Sequence, residues 1–223
     1  MPKIGVVLSG CGVMDGSEIH ESVLTLLALA EEGAEVLCMA PDTDQAEVIN
    51  HLTNEKTKEK RNVLVEAARI ARGQIKDAAQ VRASEIDGLI FPGGYGAAKN
   101  LCTFAWDGPD CKVHPDVARL AREIHAQAKP IGAICIAPAL VAKIFQGGAV
   151  KLTIGNDPET ASAIEKLGQR HVICSVSQTC VDDAARVVST PAYMLARNLA
   201  EAYEGISKLV REVLELARQP ARK

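Results

Sequence analysis

Short apolar runs rich in β-branched residues alternate with longer helical segments along this chain, and that alternation limits the folds open to it. The first run covers residues 4–8, and residues 19–30 then form an apolar segment of helical length that ends before Gly33. A second run at residues 36–40 is ended by Pro41. Two short strands joined by a helix form a crossover unit, so the sequence predicts parallel pairing at the start of the chain.

The same order continues towards the carboxyl terminus without an internal repeat or a flexible linker. Further strands are predicted at residues 89–91, 130–134, 150–154, 172–176 and 187–189, and helices at residues 62–72, 116–128, 137–144, 158–167 and 193–218. Strands that alternate with helices favour one doubly wound α/β fold, in which a mostly parallel sheet is sandwiched by helices. We expect a single domain over residues 1–223.

Composition and charge argue against several classes of partner. The formal charge is −3 and the isoelectric point is about 6.0, so no basic field is available for nucleic acid or anionic lipid. The longest uncharged apolar stretch, residues 131–142, is too short to span a membrane and contains Pro138. The first residues lack the pattern of a secretion signal. We therefore expect a cytoplasmic protein that contacts neither nucleic acid nor membrane.

Seven cysteines are scattered along the chain, several of them inside apolar runs. An odd number without a C-x-x-C pair is typical of reduced thiols rather than of a disulfide framework. The five histidines form no ligand pattern, and no zinc-site spacing is present. The sequence therefore predicts neither a metal nor an organic cofactor.

Cys135 has the sequence context of a nucleophile. It lies between a predicted strand and a predicted helix, with the small residues Ala133 and Ala137 two positions to either side. A sharp strand-to-helix elbow needs small residues there, as in the G-x-S-x-G motif of hydrolases. A thiol in the first turn of a helix is favoured as the thiolate. The alternative is a small buried apolar residue, and the residues alone do not decide between the two.

Other residues that could complete a site follow two earlier strands. Gly93 and Gly94 lie in a glycine-rich loop and could offer backbone N–H groups to an oxyanion, or simply allow a turn. Glu18 follows the acceptor Asp15 by three residues and is placed to reach back to it as a capping box, whereas Glu21 lies at the edge of the apolar face of the first helix. His20 falls on that apolar face, where a half-buried histidine with a purely structural role is the plainer interpretation.

Five segments together resemble a known family: SGCG at 9–12, DGSEIHE at 15–21, FPGGYGAAKN at 91–100, CIAP at 135–138 and TPAYM at 190–194. They are similar to the ElbB family, the enhancing lycopene biosynthesis or sigma cross-reacting proteins. That family resembles a branch of the class I glutamine amidotransferase-like superfamily, with PfpI-type peptidases and glutathione-independent glyoxalases. The resemblance runs nearly end to end. It implies a flavodoxin-like fold, a homodimer and, by the family name, a link to isoprenoid biosynthesis.

The resemblance also implies roles for individual residues. Cys135 corresponds to the elbow cysteine and Glu21 to a helix-borne glutamate that hydrogen-bonds its sulfur. Gly94 and Ile136 correspond to the oxyanion-hole amides, with Gly93 beside them. Further candidates for lining the same pocket are Cys11, Glu18, His20 and Asn100.

One departure from the superfamily pattern bears on the chemistry. Relatives with a catalytic triad or dyad carry a histidine soon after the cysteine, whereas residues 150–157 contain none. Proton transfer would then rest on Glu21, rest on a histidine from elsewhere in the chain, or hardly occur. We expect a glutathione-independent glyoxalase of weak turnover, which converts glyoxal or a similar small α-oxoaldehyde through a hemithioacetal at Cys135. The alternatives are a non-catalytic thiol sensor or interaction protein, and a cysteine amidase.

Overall fold

The computed structural model describes residues 1–219, so the last four residues of the predicted domain lie outside the described residues. The strands, in chain order, are β1 (Lys3–Val7), β2 (Glu35–Ala40), β3 (Ile49–Asn50), β4 (Glu55–Lys56), β5 (Ile75–Asp77), β6 (Gly88–Phe91), β7 (Ile131–Ile134), β8 (Lys151–Leu152), β9 (Arg170–His171), β10 (Cys180–Asp182) and β11 (Val187–Thr190). Seven of them form one sheet in the order β10-β11-β7-β6-β1-β2-β5. Its strands are parallel apart from the edge strand β10, which is antiparallel to β11.

Helices cover both faces of this sheet. They are α1 (Ile19–Glu31), α2 (Val63–Ile70), α3 (Tyr95–Lys99), α4 (Phe104–Asp107), α5 (Pro115–Ala126), α6 (Ala137–Ile144), α7 (Pro158–Lys166) and α8 (Leu199–Arg218). Short 3₁₀ turns occupy Ala78–Gln80, Ala83–Glu85, Gly108–Asp110 and Ala192–Met194. Among residues 1–219, no helix combines the length and the apolar character that crossing a membrane requires.

Alternate residues of each central strand contribute to two separate aliphatic cores. Ile4 and Val6 of β1 pack with residues of α1, α2 and α8, whereas Val7 packs on the other face with residues of α5 and α6. In β6 the same alternation sends Ile90 to the first core and Phe91 to the second. A mostly parallel sheet that is buried on both faces by helices confirms the predicted fold class.

The predicted elements are mostly found with small shifts at their ends, and the exceptions have physical reasons. A strand predicted at residues 172–176 is absent, because Ile173 is 76% exposed and this apolar run lacks the burial of a central strand. The strand predicted at residues 150–154 shortens to β8, which pairs with β9 outside the main sheet. The prediction was therefore wrong where an apolar run lies at the periphery of the sheet.

The final helix also begins later than its sequence pattern predicts. Residues 193–218 were expected to form one helix, but α8 starts at Leu199 after a 3₁₀ turn. Asn198 caps α8, since its side chain accepts a hydrogen bond from the N–H of Glu201. The connection before this cap brings Tyr193 to the edge of the sheet, where the candidate site lies.

The strand order places four strand ends side by side at one edge of the sheet. β1 has β2 on one side and β6 on the other, so the direction of winding reverses at β1. The loops after β1, β6, β7 and β11 therefore meet at the same edge. In open α/β sheets the crevice outside the carboxyl ends of the strands, at such a reversal, is where ligands bind.

Candidate functional site

Cys135 forms a strained elbow between β7 and α6. Its φ is 62°, in the left-handed region that residues with a Cβ rarely adopt. The conformation is held from the neighbouring strand end, because the Cys135 N–H donates to the carbonyl oxygen of Thr190 at 3.0 Å. Ala133 and Ala137 are completely buried on either side. The elbow that the small residues predict is therefore present in the structure.

Glu21 enters the site from the first turn of α1, and its side chain is completely buried. Its Oε2 accepts the N–H of Gly93 at 3.0 Å, and its Oε1 accepts the N–H of Tyr193 at 3.1 Å. The carboxyl lies beside the sulfur of Cys135, since a Cβ added to Gly93 would be 2.4 Å from the Glu21 Oε2 and 3.0 Å from the Cys135 Sγ. Two backbone donors from different loops thus fix the carboxyl beside the thiol.

Glu18 supports this arrangement from one turn earlier. Its side chain caps α1 by accepting the N–H of Glu21 at 2.6 Å, and its own N–H donates to the carbonyl of Gly93 at 2.8 Å. The start of α1 is in this way tied to the loop after β6. Glu18 is therefore the N-cap of α1 itself, whereas the sequence predicted that it reaches back to Asp15 as a capping box, and it is also a residue of the cavity wall.

The loop after β6 approaches the pair so closely that only glycine fits. A Cβ added to Gly93 would lie 2.4 Å from the Cβ of Cys135 and 2.4 Å from the Oε2 of Glu21. Gly94 has a φ of 99°, and a Cβ there would lie 2.3 Å from the backbone nitrogen of Glu18. The N–H of Gly93 is occupied by Glu21, whereas the N–H groups of Gly94 and Ile136 lie near the sulfur and favour its ionised form.

The electrostatics of the pair are governed by burial. Burial raises the pKa of the Glu21 carboxyl to about 8, although the N–H of Tyr193 opposes the shift. Burial raises the pKa of the Cys135 thiol well above its usual range, with the Glu21 carboxylate adding to the rise and the N–H groups of Gly94 and Ile136 opposing it. The sequence argument expected a favoured thiolate at the helix start. The structure corrects it, because an ionised sulfur here loses its hydration. Below about pH 8 both groups therefore keep their protons.

A cavity of about 540 Å³ opens over Cys135. Gly94, Cys135 and Ile136 lie on its wall, and Phe104 and Met194 contribute apolar surface. The charged residues that line it are all acidic: Glu18, Asp157 and Glu159. This volume is in the usual range for a small-molecule site, and the acidic lining disfavours anionic ligands.

The other predicted pocket residues lie at different places. His20 stands at the rim, where its Nδ1 is 3.0 Å from the hydroxyl of Tyr193 and its side chain is 53% exposed. Asn100 does not line the cavity and instead holds two loops together, since its Nδ2 donates to the carbonyls of Ser9 and Asp15 at 2.8 Å. Cys11 also lies outside the cavity lining, with charged residues of α2 among its neighbours.

Several contacts of the site were missed from the sequence. Tyr193 fixes Glu21 through its backbone, and Thr190 holds the elbow through its carbonyl. Both belong to the TPAYM segment, whose position at a strand end is the signal that could have indicated them. No comparable signal exists for Asp157 and Thr160, which reach the cavity from α7. Among residues 1–219, no group of three or more histidine, cysteine, aspartate or glutamate side chains is placed to hold a metal ion.

A strained cysteine at the carboxyl end of a parallel strand, with a buried glutamate beside its sulfur, defines a cysteine-elbow α/β protein. Comparison with known families agrees with this class. Residues 11–190 match the DJ-1/PfpI family. The chain belongs to the DJ-1/PfpI family.

Similar proteins occur among curated sequences. The chain is 48% identical to the rat (Rattus norvegicus) ES1 protein homolog, mitochondrial, over 96% of the chain and 84% of that protein. It is also 48% identical to the human (Homo sapiens) glutamine amidotransferase-like class 1 domain-containing protein 3, mitochondrial, over 96% of the chain and 83% of that protein. These relatives support the glutamine amidotransferase-like part of the resemblance.

Solved structures agree on the fold. An isoprenoid biosynthesis protein with an amidotransferase-like domain from Ehrlichia chaffeensis superposes with a TM-score of 0.89 at 40% identity, covering 96% of this chain and 99% of that one. Drosophila melanogaster DJ-1beta superposes with a TM-score of 0.57 at 19% identity, covering 97% of this chain and 96% of that one. At that identity the second likeness shows the fold alone.

The comparisons correct one expectation. The sequence argument expected a cytoplasmic protein, because it found no secretion signal and scattered thiols. The rat and human relatives and the zebrafish (Danio rerio) ES1 protein, which is 33% identical, are all named as mitochondrial. The cytoplasmic assignment is therefore wrong: reduced thiols and a mildly acidic charge do not distinguish the cytosol from other reducing compartments.

Proposed function

We propose that the chain is a glutathione-independent glyoxalase of the ElbB branch, acting on glyoxal or a similar small α-oxoaldehyde. The observation that carries the proposal is the pairing of the Cys135 sulfur with the buried Glu21 carboxyl under a cavity of about 540 Å³. A nucleophile, Cys135, and a proton carrier, Glu21, thereby lie together next to a cavity of small-molecule size. The acidic lining favours a neutral substrate such as a dialdehyde over an anion.

The proposed reaction uses only groups of the chain, the aldehyde and water. The Cys135 sulfur forms a bond to the aldehyde carbon, and the thiol proton passes to the aldehyde oxygen to give a hemithioacetal. The N–H groups of Gly94 and Ile136, which lie near the sulfur, would stabilise charge on that oxygen. Glu21, as the carboxylate, removes the proton from this carbon and returns it to the neighbouring carbon through an enediol. Water then hydrolyses the thioester, which frees the thiol and the hydroxy acid.

This mechanism has a defined pH dependence. The proton-abstracting form of Glu21 is the carboxylate, and its pKa is raised to about 8 by burial. Turnover should therefore increase as pH rises towards 8 and level off above it. A rate that is constant from pH 6 to pH 9 would argue against Glu21 as the base.

The direct test measures glycolate formed from glyoxal by purified protein without glutathione. Cys135→Ser should reduce glycolate formation to background, and Glu21→Gln should reduce it by roughly 10²- to 10⁴-fold. Cys174→Ser is the matched control, because Cys174 is buried but does not line the cavity. Unchanged turnover in Cys135→Ser would overturn the proposal.

A thiol sensor is the second candidate, and one feature of the cavity favours it. Among the described residues that line the cavity none is a histidine, so proton transfer at Cys135 would rest on carboxyl groups. In a sensor, two equivalents of hydrogen peroxide would convert the Cys135 thiol to the sulfinic acid and yield two waters. Mass spectrometry that shows stoichiometric sulfinic acid at Cys135, with no glycolate formed by the reduced protein, would select this function.

The same lack of a histidine works against an amidase, which must protonate a leaving amine.

The cellular context is part of the proposal. The names of the curated relatives support a mitochondrial location, and the name of the Ehrlichia chaffeensis protein supports a link to isoprenoid biosynthesis. Fractionation of cells that express the tagged full chain tests the first. Comparison of isoprenoid levels between wild-type cells and cells carrying Cys135→Ser tests the second.

A further inference from the structure

Cys102 and Cys111 form a second thiol site that the proposed chemistry does not use. They are 3% and 2% exposed and lie at the two ends of the segment that contains α4. Antiparallel contacts fasten these ends together: Cys102 bridges Val113, and the N–H of Thr103 donates to the carbonyl of Lys112 at 3.0 Å. Both cysteines are free thiols that lie near enough to shift each other's pKa.

The two thiols are not equivalent. The interaction between them lowers the pKa of Cys111 and raises that of Cys102, and Lys143 further favours the Cys111 thiolate. The Cys102 thiol donates its hydrogen to the carbonyl of Ala97 at 3.3 Å. Cys111 is thus the thiol that would attack a disulfide first, and Cys102 lies beside it as the thiol that would resolve the resulting mixed disulfide.

Cys111 opens onto a second cavity, of about 500 Å³, on the side of α5 and α6. The charged residues that line this cavity are all basic: Lys112, Arg119, Arg122 and Lys143. Arg119 is paired with Asp116 and Glu123, and Lys143 donates to the carbonyl of Pro109. The cavity is therefore opposite in charge to the one over Cys135, and an anion is the ligand that it favours.

We propose that Cys102 and Cys111 are a redox-active dithiol that reacts with a small anionic disulfide bound in this basic cavity. The Cys111 thiolate attacks one sulfur of the disulfide, a mixed disulfide forms, and the first small thiol leaves. Cys102 then attacks the Cys111 sulfur, which closes the intrachain disulfide and releases the second small thiol. Two protein thiols are oxidised and one disulfide is reduced to two thiols, with both protons leaving on the products.

The disulfide would act on the segment between its two cysteines. That segment supplies Phe104 and Ala105 to the cavity over Cys135. A covalent link between its ends would restrict the movement of this part of the wall. The proposal itself concerns only Cys102 and Cys111 and does not depend on the glyoxalase activity.

The test compares two small disulfides of opposite charge on the reduced full chain. Oxidised glutathione is anionic and cystamine is cationic. At low salt we expect oxidised glutathione to form the intrachain disulfide about tenfold faster, the scale of electrostatic steering, and the preference should fall as salt is raised. Arg122→Gln removes one of the cavity charges and should narrow the preference. Equal rates with the two reagents would overturn the anion site.

Peptide masses identify the product directly. Trypsin cleaves after Lys99 and Lys112, so both cysteines fall in one peptide, residues 100–112. After quenching with iodoacetamide this peptide should be unalkylated and two hydrogens lighter. Peptide 171–186, which holds Cys174 and Cys180, serves as the internal control and should be alkylated twice.

Two near-isosteric variants test whether Cys111 reacts before Cys102. Cys102→Ser should trap glutathione on Cys111 as a mixed disulfide, and Cys111→Ser should leave Cys102 unmodified. Far-ultraviolet circular dichroism checks that each variant is folded. Adducts that form first on residues 171–186, or a trapped adduct on Cys102 instead of Cys111, would overturn the proposal.

Discussion

The Glu21 carboxyl group is buried away from water, which disfavours its ionised form. Hydrogen bonds from the surrounding backbone compensate only part of the lost hydration. Its two oxygens accept N–H groups of Gly93 and Tyr193, yet burial still raises its pKa to about 8. The folded chain therefore binds a proton that the unfolded chain has already released at neutral pH. Stability is linked to pH through this one residue.

The sign of that linkage predicts the behaviour of Glu21→Gln. Because the folded pKa is raised from 4.5 to about 8, the stabilisation is complete below pH 4.5 and is lost as pH rises through 8. Between those values the free energy of unfolding of the wild type should fall, relative to the variant, by about 1.4 kcal/mol per pH unit. Urea unfolding at several pH values measures it. The exposed control Glu204→Gln should follow the wild type, and parallel profiles for Glu21→Gln and wild type would contradict the burial argument.

Gly93→Ala tests the close approach of the loop to the reactive pair. The new Cβ would lie 2.4 Å from both the Cys135 Cβ and the Glu21 Oε2, so one of these groups must move. We expect a loss of about 1–3 kcal/mol of stability together with a clear change in the alkylation rate of Cys135. Gly73→Ala is the control: Gly73 has a φ of 81° and no atom near its Cβ position, so stability should fall by about 1 kcal/mol without a change at Cys135. An unchanged alkylation rate in Gly93→Ala would show that the site accommodates the methyl group.

At this scale the sequence indicates single residues better than it indicates contacts. Cys135 was identifiable because an elbow imposes small neighbours, and Glu21 because of its place in a family motif. The backbone contacts from Thr190 and Tyr193 were not predictable from local pattern, since they join parts of the chain that are far apart in sequence. The state of the thiol was also misjudged, because burial is a property of the folded whole.

The amino terminus of helix α7 lies at the cavity over Cys135. Asp157 caps this helix by accepting the N–H of Thr160 at 2.8 Å, and it also lines the cavity over Cys135. The hydrogen bonds from Thr160 lower the pKa of the Asp157 carboxyl, which keeps it charged at neutral pH. One side chain therefore serves both the helix and the acidic character of the cavity.

Two substitutions of Asp157 separate these roles. Asp157→Ala should cost about 1 kcal/mol of stability through the lost cap, whereas Asp157→Asn keeps an acceptor and should cost less. Both remove a negative charge and should raise the rate of Cys135 alkylation by iodoacetate relative to neutral iodoacetamide. Thermal unfolding and peptide masses measure the two effects. A changed reagent ratio in only one variant would show that the cap, not the charge, controls entry.

Elements were predictable where periodicity and burial agree. The runs that became β1, β2, β6 and β7 are apolar and lie in the sheet between two layers of helices, and β6 and β7 are buried along their whole length, so pattern and structure coincide. Residues 172–176 are also apolar but lie at the periphery, where Cys174 is buried while Ile173 is 76% exposed, so no second layer covers the outer side of this run. Composition alone cannot report whether a neighbour will be present.

At the scale of the whole molecule, helix α1 exposes a row of apolar side chains that bears on assembly. Ile19, Val23 and Leu27 follow one another at four-residue spacing on α1, and each is between 44% and 48% exposed. Apolar side chains at that spacing share one face of a helix. The homodimer expected from the sequence, with a second copy of this chain packed on that face, would bury them.

Sedimentation equilibrium at micromolar concentration tests the assembly. We expect a mass twice the 23.7 kDa of the chain for the wild type and a shift towards the single-chain mass for Val23→Glu. Leu52→Glu is the matched control, since Leu52 is 92% exposed and lies far from α1 in sequence. A wild type that sediments as a single chain would contradict the dimer, and a dimeric Val23→Glu would place the contact elsewhere.

The acidic lining of the cavity over Cys135 has a consequence for the end of a reaction cycle. Glyoxal enters as an uncharged molecule, but the hydroxy acid that would form from it is an anion. Glu18, Asp157 and Glu159 line the cavity, so under the proposed function their negative charge would repel the product anion but not the uncharged substrate. The cavity would then bind the anionic product weakly, and accumulated product would be a poor inhibitor.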